Sequence, residues 1–236
     1  MEKGKKIYEG KAKILYETTN PLYVIQAFKD DATAFDATKR GSITDKGLCN
    51  NKISTAIFKF LEAKGIETHF VKLLNDREML VKKVEILPIE VTVRNRVAGG
   101  MAKLLGIEEG RPLQKPVLEY HYKDDSLHDP LINEYHIAAI NLASPKELSE
   151  IQNATFKINK LLIDYFDRIG LELVDFKLEF GRFQGGIILA DEISPDTCRL
   201  WDKDSGKKMD KDRFRRDLGQ IEETYQEVMK RVLENC

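Results

Sequence analysis

Residues 171–193 read LELVDFKLEFGRFQGGIILADEI, and their alternation constrains the fold more than any other stretch of the chain. Period-two patterning puts Val174, Phe176, Leu178 and Phe180 on one face of a strand, and Asp175, Lys177 and Glu179 on the other. Gln184-Gly185-Gly186 is a hairpin signal, so a second strand over 187–193 returns beside the first. With that three-residue connection, Asp191 falls opposite Glu179. Facing carboxylates repel unless a cation lies between them. Such a hard-oxygen pair suits Mg²⁺ held together with substrate phosphates, and Lys177 would contact a phosphate or carboxylate of the substrate. The competing reading is a half-buried strand with a solvated outer face.

Around this hairpin the chain mixes strands and helices without a regular βαβ repeat, which predicts the α+β class. Strands are expected at 6–9, 13–17, 23–28, 69–74, 79–84 and 89–93. Helical spacing of Ile53, Ala56, Ile57, Phe60 and Leu61 predicts a helix over 48–64. The clearest helix spans 145–169, with Ser144 as N-cap, Pro145 at N1, Glu147 closing a capping box and Gly170 at the end. One long helix is expected over 211–233, and a loop-rich region over 110–130, which holds Pro112, Pro116 and Pro130. Pro88 marks the expected boundary between two lobes, 1–87 and 88–236.

Composition removes several classes of function. With 38 Lys+Arg against 39 Asp+Glu, the net charge of −1 argues against a general nucleic-acid binder. No 18-residue window lacks a charged side chain, so no transmembrane helix is expected; the charged N-terminus does not resemble a secretory signal. Cys49, Cys198 and Cys236 form no CxxC pair, and the four histidines show no short ligand spacing, so neither a disulfide framework nor a zinc site is indicated. A cytoplasmic protein is the expectation.

Three other segments carry chemistry. Tyr8-Glu9-Gly10-Lys11-Ala12-Lys13 can fold over a triphosphate, although it is not a Walker A loop. In VTVRNRVAGG (91–100), Arg94 and Arg96 share a side ahead of Gly99-Gly100 and can bind a phosphate monoester or a carboxylate. Asp191, Glu192, Asp196 and Arg199 crowd the stretch that follows the hairpin. Each has a bland alternative as a solvated turn or edge. Together they suit ATP-Mg and an anionic small molecule.

In order along the chain, YEGKAKILY, TAFD, ITDKG, EVTVRNRVAGG, DDSLHDP, LVDFKLEFG and LADEISPDTCRLWD resemble the SAICAR synthetase family. The resemblance covers residues 8–216 in one register. It implies an ATP-dependent ligase of purine biosynthesis that joins L-aspartate to carboxyaminoimidazole ribonucleotide (CAIR). The implied fold is two-lobed, related to ATP-grasp enzymes, with ATP in the cleft between the lobes. By position, Lys11 and Lys13 match phosphate-loop lysines, Lys82 lies near adenine, and Glu179 and Asp191 match magnesium ligands. Arg94 and Arg199 match residues that hold the ribonucleotide phosphate, while Lys177 and Asp196 lie where its base and ribose are gripped. Asp129 and Asp36 match the substrate pocket more generally; Lys13, Lys177 and Asp129 are the candidate catalytic residues, and Asp129 or the phosphate itself would accept the amine proton.

The resemblance departs at Gly100, where many members carry a serine that helps bind the phosphate. It also implies a homodimer with small-molecule partners, and neither nucleic acid nor membrane. The alternatives are an ATP-Mg kinase or ligase acting on a different phosphorylated carboxylate, and a regulatory module that binds nucleotide without turnover.

Overall fold

The computed structural model describes residues 2–34 and 39–235. Two antiparallel sheets and a short ribbon account for the strands. The first sheet holds β1 (Lys3–Glu9), β2 (Lys13–Thr18), β3 (Tyr23–Phe28), β6 (Phe70–Asn75) and β7 (Glu78–Lys82) in the order β1-β2-β3-β7-β6. The ribbon pairs β4 (Asp31–Ala34) with β5 (Lys39–Ser42). In the second sheet β8 (Glu85–Arg96), β9 (Pro112–Tyr122), β10 (Leu131–Ile132), β11 (Leu171–Phe183) and β12 (Gly186–Ala190) run β10-β9-β8-β11-β12. A last strand, β13 (Cys198–Asp202), also pairs with β11.

The helices are α1 (Lys46–Ala63), α2 (Gly99–Leu105), α3 (Glu134–Ala139), α4 (Pro145–Arg168), α5 (Asp212–Arg215) and α6 (Ile221–Glu234). In α4 the expected capping box is present: Ser144 Oγ accepts from the Glu147 amide, and Glu147 accepts from the Ser144 amide at 2.7 Å. This helix lies against β11, whereas α1 covers the first sheet and packs on α6. A single contiguous apolar cluster joins Phe28, Ile57, Phe176 and Tyr225, and therefore spans both sheets.

Several expectations are corrected. The region 110–130 contains the eleven-residue strand β9; Pro112 opens it, and Pro116 lies outside the short stretch paired with β10, where a missing N–H costs no ladder bond. The long helix expected over 211–233 is broken into α5 and α6, because Asp217, Gly219 and Gln220 all take positive φ. Pro88 falls inside β8, and the chain crosses between the sheets at Lys83-Val84. The strand expected over 187–193 stops at Ala190.

The hairpin turn itself holds only Gln184 and Gly185, both with positive φ as a type I′ turn requires. Glu179 therefore faces Ala190 rather than Asp191. Asp191 leaves the ladder with φ of 65°. The outer face of β11 is not solvated either: Asp175 and Glu179 are buried, with Arg94 and Arg199 lying against the first and Lys123 and Lys177 against the second.

Candidate active site

The site grows from the way β11 is shared. β13 pairs with its first half and β12 with its second, and residues 191–197 loop out between them. The Lys177 amide crosses that gap to the Thr197 carbonyl at 2.8 Å. The alternating polar face of β11 thus delivers Asp175, Lys177 and Glu179 into one opening.

At one end lies a carboxylate–lysine cluster. Lys177 Nζ is 2.7 Å from Glu179, 2.8 Å from Glu90 and 3.9 Å from Asp191, and so bridges the two carboxylates that the turn register keeps from facing each other. Lys123 also binds Glu179; Lys13 binds Asp191 and lies 3.0 Å from Glu192. Burial pushes Asp191 up, but Lys13, Lys177 and Lys123 outweigh it and hold the carboxyl below its usual range. Glu179 is likewise lowered, with burial and Asp191 opposing Lys177 and Lys123. Burial pulls Lys13 down, while Asp191 and Glu192 raise it above the ordinary lysine range. Asp191, Glu179 and Lys13 are therefore ionised near neutral pH.

At the other end, Arg94 and Arg199 converge on Asp175 at 2.6 and 2.9 Å. Arg94 is also 2.7 Å from Glu119, and Arg199 is 3.2 Å from Asp212. Between the two ends opens a cavity of about 400 Å³, lined by Thr92, Arg94, Gly100, Lys177, Asp196, Arg199 and Arg215 among others. The Gly99 backbone lies so close to the Arg199 guanidinium that a Cβ there would sit 2.7 Å from it.

The loop 191–197 is fixed from behind. Lys46 of α1 is 2.7 Å from Asp196 Oδ2, and the Tyr225 hydroxyl of α6 donates to Asp196 Oδ1 at 2.6 Å. Ser54 donates to the Ile193 carbonyl at 3.1 Å. Burial raises the Asp196 carboxyl, but Lys211, Lys46 and Tyr225 bring it well below its usual range.

The expected residues divide accordingly. Lys13, Lys177, Glu179 and Asp191 form the lysine–carboxylate end; Arg94, Gly100, Asp196 and Arg199 line the cavity. Lys11 is exposed and pairs with Asp125 at 2.6 Å. Lys82 donates to the Thr68 carbonyl at 2.8 Å. Asp129 turns inward on its own loop and accepts from the Asp124 amide at 2.9 Å. Asp36 lies outside the described residues. Sequence reading gave no role to Lys123, Glu90, Glu119 or Lys46; the signal available for Lys46 was the polar i, i+4, i+8 run of Lys46, Asn50 and Ser54 along one side of α1.

A cavity lined by arginines beside buried, lysine-bridged carboxylates defines an enzyme cleft for phosphorylated, anionic substrates. Residues 6–232 match the family model described as SAICAR synthetase. The chain is 56% identical over 235 residues to a phosphoribosylaminoimidazole-succinocarboxamide synthase of Clostridium kluyveri, covering 100% of both. The crystal structure of such a synthase from Ehrlichia chaffeensis superposes with a TM-score of 0.95 at 50% identity, covering 97% of this chain and 98% of that one. A SAICAR synthetase in complex with ADP gives 0.92 at 46% identity, covering 95% and 96%. The chain belongs to the SAICAR synthetase family.

Proposed function

We propose that this protein joins L-aspartate to the carboxylate of CAIR, cleaving ATP to ADP and phosphate and yielding SAICAR for purine biosynthesis. The observation that carries the reading is a single strand, β11, presenting Lys177 and Glu179 to a lysine–carboxylate cluster and Asp175 to an arginine pair. Membership of the family and the likeness to an ADP-bound synthetase support the use of ATP. Nucleotide then lies between the lobes built on the two sheets, with Lys13 at the phosphates and Lys82 toward the adenine end.

Glu179 and Asp191 fit a magnesium ion in their chemistry: one buried and one half-buried, both are ionised, hard-oxygen donors, and one or two carboxylates with substrate phosphates are what Mg²⁺ usually takes. When bound, the ion would neutralise charge on the transferring phosphoryl group. The chain's own residues do the positioning. Lys13, Lys123 and Lys177 are placed to meet phosphate oxygens, and Arg94 and Arg199 to hold a phosphate monoester at the far end. A ribonucleotide gripped there would reach along β11 and present its carboxylate near Lys177. Converting that carboxylate to an acyl phosphate makes it an electrophile that the aspartate amine can attack, and no side-chain nucleophile is needed.

The test is ADP release with ATP, Mg²⁺, CAIR and L-aspartate, leaving out one component at a time. The proposal expects turnover only when all four are present, with a succinocarboxamide product by mass. ADP release indifferent to L-aspartate would replace the ligase with a carboxylate kinase, and a nucleotide-binding sample without turnover would point to a regulatory module.

A further inference from the structure

Lys211 is a cation short of a counter-ion. Its side chain is 13% exposed, its ammonium makes no hydrogen bond among the described residues, and its ion-pair contact is Asp196 Oδ2 at 3.8 Å. That carboxylate is already taken, by Lys46 on Oδ2 and by Tyr225 on Oδ1. Burial, then Lys46 and Arg215, pull the Lys211 ammonium below the ordinary lysine range against the opposing effect of Asp196 and Glu192. An ammonium with three donors, largely withdrawn from water, calls for an acceptor that the folded chain does not supply.

Its neighbourhood is shaped for one. The Lys211 amide donates to the Pro195 carbonyl at 3.1 Å, which ties it to the 191–197 loop. The Arg215 amide donates to the Lys211 carbonyl at 3.0 Å, so the two side chains lie one helical turn apart on the same side. Arg215 reaches the cavity wall, and its side-chain hydrogen bond among the described residues is the one from Nη1 to Asp212 at 2.6 Å. This basic pair is separate from Arg94 and Arg199, which are already matched to Asp175.

We propose that Lys211, assisted by Arg215, docks a carboxylate of the amino-acid co-substrate. The inference rests on the ligase reading above. A reaction that joins a dicarboxylic amino acid to the carboxylate of a ribonucleotide monophosphate needs, besides the ATP position, separate anion positions for the phosphate, for that carboxylate and for the amino acid. Arg94 and Arg199 suit the doubly charged phosphate and Lys177 the ribonucleotide's carboxylate; the Lys211–Arg215 pair, with Arg215 on the cavity wall and Lys211 3.8 Å from the wall residue Asp196, is left for the amino acid.

Steady-state kinetics of Lys211→Met, varying each substrate in turn, test this. Losing one charge-assisted contact should raise the KM for L-aspartate about 10- to 100-fold. The KM values for ATP and CAIR should stay within about threefold, and Lys211→Arg should recover most of the loss. An equal or larger rise in the KM for CAIR, or a fall in kcat with the KM for L-aspartate unchanged, overturns the assignment. If Lys211→Met does not fold, Arg215→Gln is read by the same split between substrates. Wild-type protein that releases ADP without needing L-aspartate overturns the ligase reading, and this inference with it.

Discussion

A Cβ at Gly99 would meet the Arg199 guanidinium at 2.7 Å on a backbone with φ of +55°, whereas one at Gly100 would find nothing nearer than an Arg94 nitrogen at 3.8 Å. Adjacent glycines thus carry opposite constraints. Gly99→Ala should cost about 1–2 kcal/mol for the left-handed backbone and displace Arg199, raising the KM for CAIR at least about tenfold. Gly100→Ser should leave stability unchanged within about 0.5 kcal/mol and place a hydroxyl beside Arg94, holding or lowering that KM. Urea titration and CAIR kinetics on both variants check the pair; identical behaviour would contradict the geometry. The departure at Gly100 was visible in the sequence as a missing serine. The demand on Gly99 was not, since it arises only when Arg199 arrives from a strand a hundred residues away.

Among the elements, α1 does more than cover a sheet. Its Lys46 and Ser54, one face of the helix two turns apart, hold the loop that carries Asp196. Lys46→Met leaves the buried Asp196 carboxylate with the Tyr225 hydroxyl and a looser contact to Lys211 at 3.8 Å, and should cost about 3–5 kcal/mol in urea unfolding. Adding Asp196→Asn should restore part of that, because the under-paired carboxylate charge is gone. A Lys46→Met protein as stable as wild type would mean that the pair is solvated. The apolar period and the capping signals of α1 and α4 were legible because they are local. What was lost depended on register or on distant partners. The two-residue turn moved Asp191 off Glu179, pairing with β8 made a strand of the proline-bearing β9, and positive φ at Gly219 and Gln220 divided the last helix. Lys123 reaches Glu179 only because β9 and β11 both flank β8, so its loop gave no sign of a role.

For the molecule as a whole, the joint between the sheets is a short parallel bridge between Thr68 and Leu189. The His69 amide donates to Leu189 at 2.8 Å, and the Lys82 amide donates to His69 at 2.7 Å, so this segment bonds to both sheets. The His69 ring is buried with Nε2 unpartnered among the described residues; burial lowers its pKa to about 3 from 6.5. The unfolded chain takes up that proton first on acidification, so the contribution is whole above about pH 6.5 and drains away as the pH falls toward about 3. His69→Phe should therefore flatten the acid side of the stability curve by up to about 1.4 kcal/mol per pH unit, measured by urea unfolding between about pH 7 and about pH 5. Parallel curves for the two proteins would remove His69 from the joint's acid response. The lysine–carboxylate cluster has a consequence of its own. With Lys13, Lys123 and Lys177 already seated on Glu179, Asp191 and Glu192, the cleft is a loaded ion exchanger: under the proposed reading, a metal–triphosphate pair would take over the carboxylates and the lysines as its own partners, and would add only the net negative charge that the metal leaves uncancelled. In such an exchange most of the entering charge meets partners that are already in place, so nucleotide affinity should depend more on how well partners are swapped than on how much charge is brought together, and should fall only weakly with added salt.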